Sequence, residues 1–240
     1  PSPPRTLSGV RVLVTRPRLD AERTASKLAA LGHRTLIDSV IEIEALPFDA
    51  SAENISAIVF TSANAVRTAS GSEKLKTIPV FAVGTRTAEA AREASFRNVG
   101  VAAGDVNALG EWMLAELPSG ARVLHFAGED MAGDLAGRLA RSGIKVETRI
   151  TYRARASARL KPETADAFRA GRIDAVLHYS ERSSAAFVRL ADAADIGDDI
   201  RRTRHLCLSA AVATPLKLFG VHPEIAATPE EAAIFEILGP

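Results

Sequence analysis

The chain has a single cysteine, Cys207, among its 240 residues. That excludes an intramolecular disulfide and a cysteine-rich zinc site, and it fits a reducing cytosol. An excess of charge is also lacking: 30 basic and 29 acidic residues give a formal net charge of +1. No whole-molecule field therefore draws the chain to nucleic acid or to a membrane surface. No apolar run approaches the ~20 residues of a membrane span, and Pro1-Ser2-Pro3-Pro4 offers no hydrophobic signal core, so a cytoplasmic location with no membrane partner is expected. The phosphate-loop pattern G-x-x-x-x-G-K-[ST] is absent, Gly84 to Arg86 lacks the G-x-G-x-x-G spacing of a dinucleotide site, and there is no G-x-S-x-G nucleophile elbow. His33, His125, His178, His205 and His222 form no H-x-x-x-H pair and none adjoins the cysteine. No cofactor and no metal are expected.

What is present is an ordinary globular composition, 47% hydrophobic and 25% charged, in a length that suits two compact lobes of roughly 100 to 130 residues each. Short, continuous apolar runs recur in order. Arg11 to Thr15 matches Arg122 to Phe126, Ala57 to Ser62 matches Ala175 to Ser180, and Val80 to Gly84 matches His205 to Ser209, each leading into a helical stretch. Such runs read as parallel strands covered on both faces, so an internal repeat of strand-helix units is expected. His125, His178 and His205 fall within these strands as hydrogen-bonded core residues, and Cys207 as a buried small hydrophobe.

End signals locate several helices. Asp20 is placed as the cap of a helix whose Ala21, Ala25 and Leu28 share one face, with Gly32, Gly143 and Gly220 as left-handed stops. Thr228-Pro229-Glu230-Glu231 reads as a capping box opening the last helix. Pro215 requires the helix after Ser209 to start late or kink. Lys145, Arg149, Arg153 and Arg155 crowd a strand-like stretch around Tyr152, the pattern of a solvated edge strand or equally of a stretch lining an interlobe cleft. In open parallel sheets, ligands bind beyond the carboxyl ends of strands. Those turns here, around Arg16, Ser62, Asn64, Gly84, Thr87, Gly128, Ser180 and Ser209, are rich in small and hydroxyl residues suited to an anionic ligand.

Val12-Leu13-Val14-Thr15-Arg16-Pro17, Val59 to Val66, Ala82-Val83-Gly84 with Thr87, Leu36 to Ile43, Ile150 to Arg153 and the ends at Tyr179-Ser180 and Leu208-Ser209 together resemble uroporphyrinogen-III synthases along essentially the whole chain. The resemblance implies an α/β fold of two similar lobes, each a parallel sheet flanked by helices, joined by a two-stranded connection. Residues 1–40 with 154–240 would form one lobe and 41–153 the other. It implies a cofactor-independent lyase, monomeric, that cyclises hydroxymethylbilane with loss of water and inversion of ring D. Tyr152 matches the family's tyrosine at the cleft, the best candidate to assist departure of the hydroxyl. Arg16, Ser62, Asn64, Gly84, Thr87, Gly128, Ser180 and Ser209 match its substrate-binding turns. The chain departs from some relatives at Ala210 to Val212 and at Met131, where they carry threonines and a basic residue. A non-catalytic two-lobed binder of an anionic metabolite is the alternative, and a flavodoxin-like nucleotide binder is disfavoured by the missing phosphate loop.

Overall fold

A computed structural model describes residues 9–131 and 133–239; the run Pro1 to Pro4 lies outside them. The chain opens with β1 (Arg11–Val14), α1 (Arg18–Ala30), β2 (Arg34–Ile37) and β3 (Ile41–Ala45). Next come β4 (Ala57–Phe60), α2 (Ala63–Ala69), β5 (Val80–Ala82), α3 (Thr85–Glu93), β6 (Val99–Val101) and α4 (Val106–Glu116). They are followed by β7 (Arg122–Gly128), α5 (Leu135–Ala140), β8 (Lys145–Ala156), α6 (Pro162–Arg169) and β9 (Ala175–His178). The last part is α7 (Glu181–Ala193), α8 (Gly197–Arg202), β10 (Arg204–Cys207), α9 (Ala210–Leu218), β11 (Glu224–Ile225) and α10 (Glu231–Leu238).

These elements divide into two compact units, Pro1–Glu42 with Arg155–Pro240, and Ile43–Ala154. One sheet runs β11-β10-β9-β1-β2 and the other β3-β8-β7-β4-β5-β6. All the pairings from β4 to β8 and within the first sheet are parallel. Read from its far end, the second sheet is β6-β5-β4-β7-β8 with β3 added, so β9, β10, β11, β1 and β2 occupy the places of β4, β5, β6, β7 and β8. The repeat seen in the sequence is thus a circular permutation: the first unit begins its chain where the second reaches its fourth strand. Strand β3 runs against β8, because Ser157 N–H donates to Val40 and Leu46 N–H to Thr151.

Alternation along single strands builds the cores. Ile58 and Phe60 of β4 turn to one face, where Phe126, Phe96 and Val66 meet them; Ala57 and Val59 turn to the other, against Leu109, Met113 and Leu139. Phe60 stacks on Phe126 at 5.6 Å between ring centroids and meets Phe96 edge-on at 5.4 Å. In the first unit Val12, Val14, Leu28, Leu177, Leu206 and Ile234 form the corresponding cluster. Each such large side chain stabilises by roughly 1.5–3 kcal/mol on burial.

Four local expectations change. Asp20 is not a cap, because the carbonyl of Pro17 already accepts from the N–H groups of Asp20 and Ala21 and the helix starts at Arg18. The last helix starts after Glu230 rather than at Pro229, since the Glu231 carboxylate is drawn to Arg16, Thr24 and Lys27 instead of back to Thr228. Helix α9 does not start late: it begins directly after Ser209 and carries Pro215 inside it, at the loss of the N–H that would reach Ala211. The charged strand β8 is not an edge, for β3 covers it. Its Arg149 is only 9% exposed and binds Glu147 and the carbonyls of Asp49 and Ser51.

Two buried histidines fix one another in the first unit. His205 Nε2 lies 2.9 Å from the Ile200 carbonyl and must donate to it, so its Nδ1 accepts from His178 Nε2, also at 2.9 Å. This leaves His178 Nδ1 buried without a partner.

Candidate functional site

In the second unit the turn after β4 is organised by Ser62, the N-cap of α2. Its Oγ accepts from Asn64 N–H at 3.1 Å and from the Tyr152 hydroxyl at 3.0 Å. Asn64 turns its amide oxygen to Arg67 at 2.9 Å. Beneath the turn, His125 Nε2 and Thr61 Oγ1 are 3.1 Å apart, and burial lowers the His125 pKa to about 4. That imidazole is neutral at neutral pH and supports the turn rather than supplying charge.

Tyr152 owes its position to an irregularity in the pairing of β7 and β8. Ala127 faces Ile150, yet Gly128 faces Tyr152, so Thr151 is the extra residue of a β-bulge. The bulge breaks the alternation and sends two successive side chains toward α2: Thr151 Oγ1 accepts from Thr68 Oγ1 at 2.8 Å, and Tyr152 reaches Ser62. The phenol ring then lies directly on Gly128, where an added Cβ would come within 2.5 Å of Tyr152 Cζ and 2.8 Å of its oxygen. Nearby, Gly84 caps α3 with an extended backbone and no side-chain oxygen, so the capping residue offers no side-chain acceptor to the first N–H groups of α3. Thr87 is buried in that first turn.

In the first unit the matching turns hold Ser180 and Ser209. Ser180 caps α7 by accepting from Ser183 N–H at 3.2 Å and donates to Ser183 Oγ at 2.8 Å. Ser209 caps α9 through a longer contact with Val212 N–H, 3.4 Å.

Arg16, expected as a binding side chain, faces inward. Its guanidinium, 11% exposed, pairs with Glu231 at 2.8 Å, donates to Thr24 at 3.0 Å and lies 4.0 Å over the Tyr179 ring. Burial opposes the Glu231 charge, but hydrogen bonds from Lys27 and Thr24 and the charges of Arg16 and Lys27 outweigh it and hold the carboxyl below its usual range. The same burial, with Glu231 beside it, raises the Tyr179 phenol. Local spacing carries no sign of this network, whose partners Arg16 and Glu231 lie 215 residues apart.

Among the described residues no group of three or more His, Cys, Asp or Glu is placed to hold a metal ion, and no helix is long and apolar enough to cross a membrane. The family model described as uroporphyrinogen-III synthase HemD matches residues 22–236. This chain belongs to the uroporphyrinogen-III synthase family. Its activity is accordingly that of a cyclising lyase of tetrapyrrole biosynthesis, acting on a small-molecule tetrapyrrole. The fold is similar to that of uroporphyrinogen-III synthetase from Helicobacter pylori 26695, with a TM-score of 0.67 at 19% identity over 95% of this chain and 97% of the other. It is also similar to a mutant uroporphyrinogen-III synthase from the extremely thermophilic bacterium Thermus thermophilus, with a TM-score of 0.52 at 20% identity over 95% and 96% of the two chains. Among curated proteins none matches the sequence significantly.

For a uroporphyrinogen-III synthase built this way, the contact of Tyr152 with Gly128 is testable. Gly128→Ala is expected to push the ring off the strand and break the bond to Ser62, lowering turnover about tenfold, the effect of about 1.4 kcal/mol. Tyrosine fluorescence and initial rates of the variant check this; unchanged rates would show that the ring's seat is immaterial.

Proposed function

We propose that this chain takes hydroxymethylbilane as substrate and converts it to uroporphyrinogen III, with Tyr152 as the group assisting the first step. The hydroxymethyl C–O bond on ring A breaks and the oxygen leaves as water with a donated proton. The resulting azafulvene is attacked by the substituted carbon of ring D. The spiro intermediate then fragments and recloses with ring D inverted. Without a protein the same electrophile closes to the uninverted isomer, so the chain's task is to hold geometry, and orientation is the main catalytic term.

The observation that carries this reading is the Tyr152 hydroxyl, delivered by the bulge to the Ser62 cap at the carboxyl end of the second sheet. A phenol O–H is a competent donor at neutral pH. Ser62, Asn64, Gly84, Thr87 and Gly128 in one unit, and Ser180 and Ser209 in the other, present cap hydroxyls and backbone N–H groups to the substrate's carboxylates. Arg16 serves from behind, holding Tyr179 next to Ser180 and tying α10 to α1. In this reading each unit acts as one lobe of a monomer working in the cytoplasm.

Freshly made hydroxymethylbilane, followed by oxidation and separation of the uroporphyrin isomers, tests the proposal. Isomer III should predominate, and it should still do so after exhaustive dialysis against a chelator. Isomer I alone, as in protein-free buffer, would overturn the reading in favour of a non-catalytic binder.

A further inference from the structure

The carboxyl-end side of the first sheet holds a second concavity that the strand-end turns do not account for. It is a cavity of about 570 Å³, within the roughly 300–1,000 Å³ of small-molecule sites. Its walls include Asp38 just past β2, Glu42, Arg18 at the start of α1, and Arg159 and Lys161 ahead of α6. All of these belong to the first unit.

The charges lining it differ in what they already bind. Asp38 is buried and accepts from Lys161 N–H at 2.8 Å. Glu42 accepts from the Ser157 hydroxyl at 3.4 Å. Lys161 Nζ donates to the Ile37 carbonyl at 2.9 Å, and Arg18 pairs with the exposed Glu22 at 2.8 Å. The Arg159 guanidinium has no hydrogen-bond acceptor or carboxylate partner among the described residues. The cavity therefore carries two carboxylates engaged by their own chain and one cation with five donors unused.

Beside the neutral hydroxyls and backbone N–H groups of the turns proposed above as the substrate's seat stand Arg86 and Arg182, both of which have interactions of their own within the chain. A substrate bearing an acetate and a propionate on every pyrrole brings more negative charge than such donors neutralise, and a planar guanidinium binds a carboxylate through two parallel hydrogen bonds. We infer that Arg159 receives a substrate carboxylate in this cavity and so helps set affinity for the polycarboxylate chain. The inference rests on the proposed function and adds to it a charged contact outside the turns.

The test compares steady-state kinetics of Arg159→Gln, Arg159→Lys and Arg159→Glu with the unaltered enzyme on hydroxymethylbilane, together with Arg34→Gln, which alters an exposed arginine lining a different cavity with Arg11 and Arg172. Arg159→Gln should raise KM about tenfold, equivalent to about 1.4 kcal/mol, with kcat and melting temperature little changed. Arg159→Lys should recover part of the loss, Arg159→Glu should exceed it, and Arg34→Gln should behave as the unaltered enzyme. Added salt should narrow the gap between the enzyme and Arg159→Gln. If the enzyme makes isomer III and Arg159→Gln has an unchanged KM, the inference fails while the functional reading stands. If Arg34→Gln raises KM as much as Arg159→Gln, the effect is one of general charge and the inference also fails. An enzyme that yields only isomer I overturns the functional reading, and the inference with it.

Discussion

Tyr152→Phe is expected to slow single-turnover formation of isomer III by on the order of 10²-fold, the lower end of what a positioned general acid contributes. The substitution keeps the ring, its seat on Gly128 and its contact with the Phe60 and Phe126 cluster. It removes one hydrogen bond, to a Ser62 oxygen that retains Asn64 N–H as a donor, a net loss of about 1 kcal/mol. A melting temperature within a few degrees of the original, beside a large rate loss, would assign the hydroxyl to the chemistry. An unaltered rate would make Tyr152 a packing residue and leave the reaction to backbone donors and the substrate's own carboxyl groups.

Acid is expected to unfold the protein well before its carboxylates have all been protonated. Burial holds the His125 and His205 pKa values down to about 4, and burial together with the neighbouring His205 lowers that of His178 well below its ordinary 6.5. In the unfolded chain these rings take up protons near pH 6.5. Between about pH 6.5 and about 4 the unfolded state therefore binds more protons, so stability is full above pH 6.5 and falls as the pH drops. Each of His125 and His205 contributes roughly 3 kcal/mol over that span at 1.36 kcal/mol per pH unit, against a total stability of about 5–15 kcal/mol. Urea midpoints measured from pH 7.5 to pH 4 should decline steeply below pH 6.5. A midpoint that stays flat to pH 5 would mean that the rings are solvated in the folded state. The His178–His205 bond sharpens the loss, because a proton on His205 Nδ1 removes the acceptor of His178 Nε2–H, and protonation of both rings brings two cations together in an apolar cluster with Phe187.

Much of the fold is legible in the sequence because its strands are buried on both faces. Runs such as Val12-Leu13-Val14 and Ala57-Ile58-Val59-Phe60 contain nothing a solvated strand would tolerate, and Gly32, Gly143 and Gly220 do end their helices or turns at positive φ. The repeat is visible because it follows from those runs; its permuted form is not, since which strand neighbours which depends on contacts more than a hundred residues apart. Local signals fail where a distant partner competes. The capping box at Thr228 loses its glutamate to Arg16 and Lys27, and the charged run around Tyr152 looks like an edge because β3, which covers it, lies far upstream. At the candidate site the positions of the turns can be read from strand ends and small residues. Their hydrogen-bonding cannot: the bulge that turns Thr151 and Tyr152 to one side has no signature in Ile150-Thr151-Tyr152-Arg153, and the inward turn of Arg16 is decided by Glu231.

The permuted order of strands also sets the order in which the chain can fold as it leaves the ribosome. The second unit is contiguous, so all of its strands are available once β8 has emerged. The first unit must wait, for β1 finds its central neighbour only when Asp174, 163 residues after Arg11, has been made. At roughly 5–20 residues per second that delay is on the order of ten seconds. Throughout it β1, α1 and β2 stand as a fragment in which α1 can cover Val12 and Val14 on one face while Leu13 on the other has no cover. This makes the nascent amino-terminal segment the part of the chain with most to gain from a chaperone, and slowed translation after β2 a direct route to aggregation.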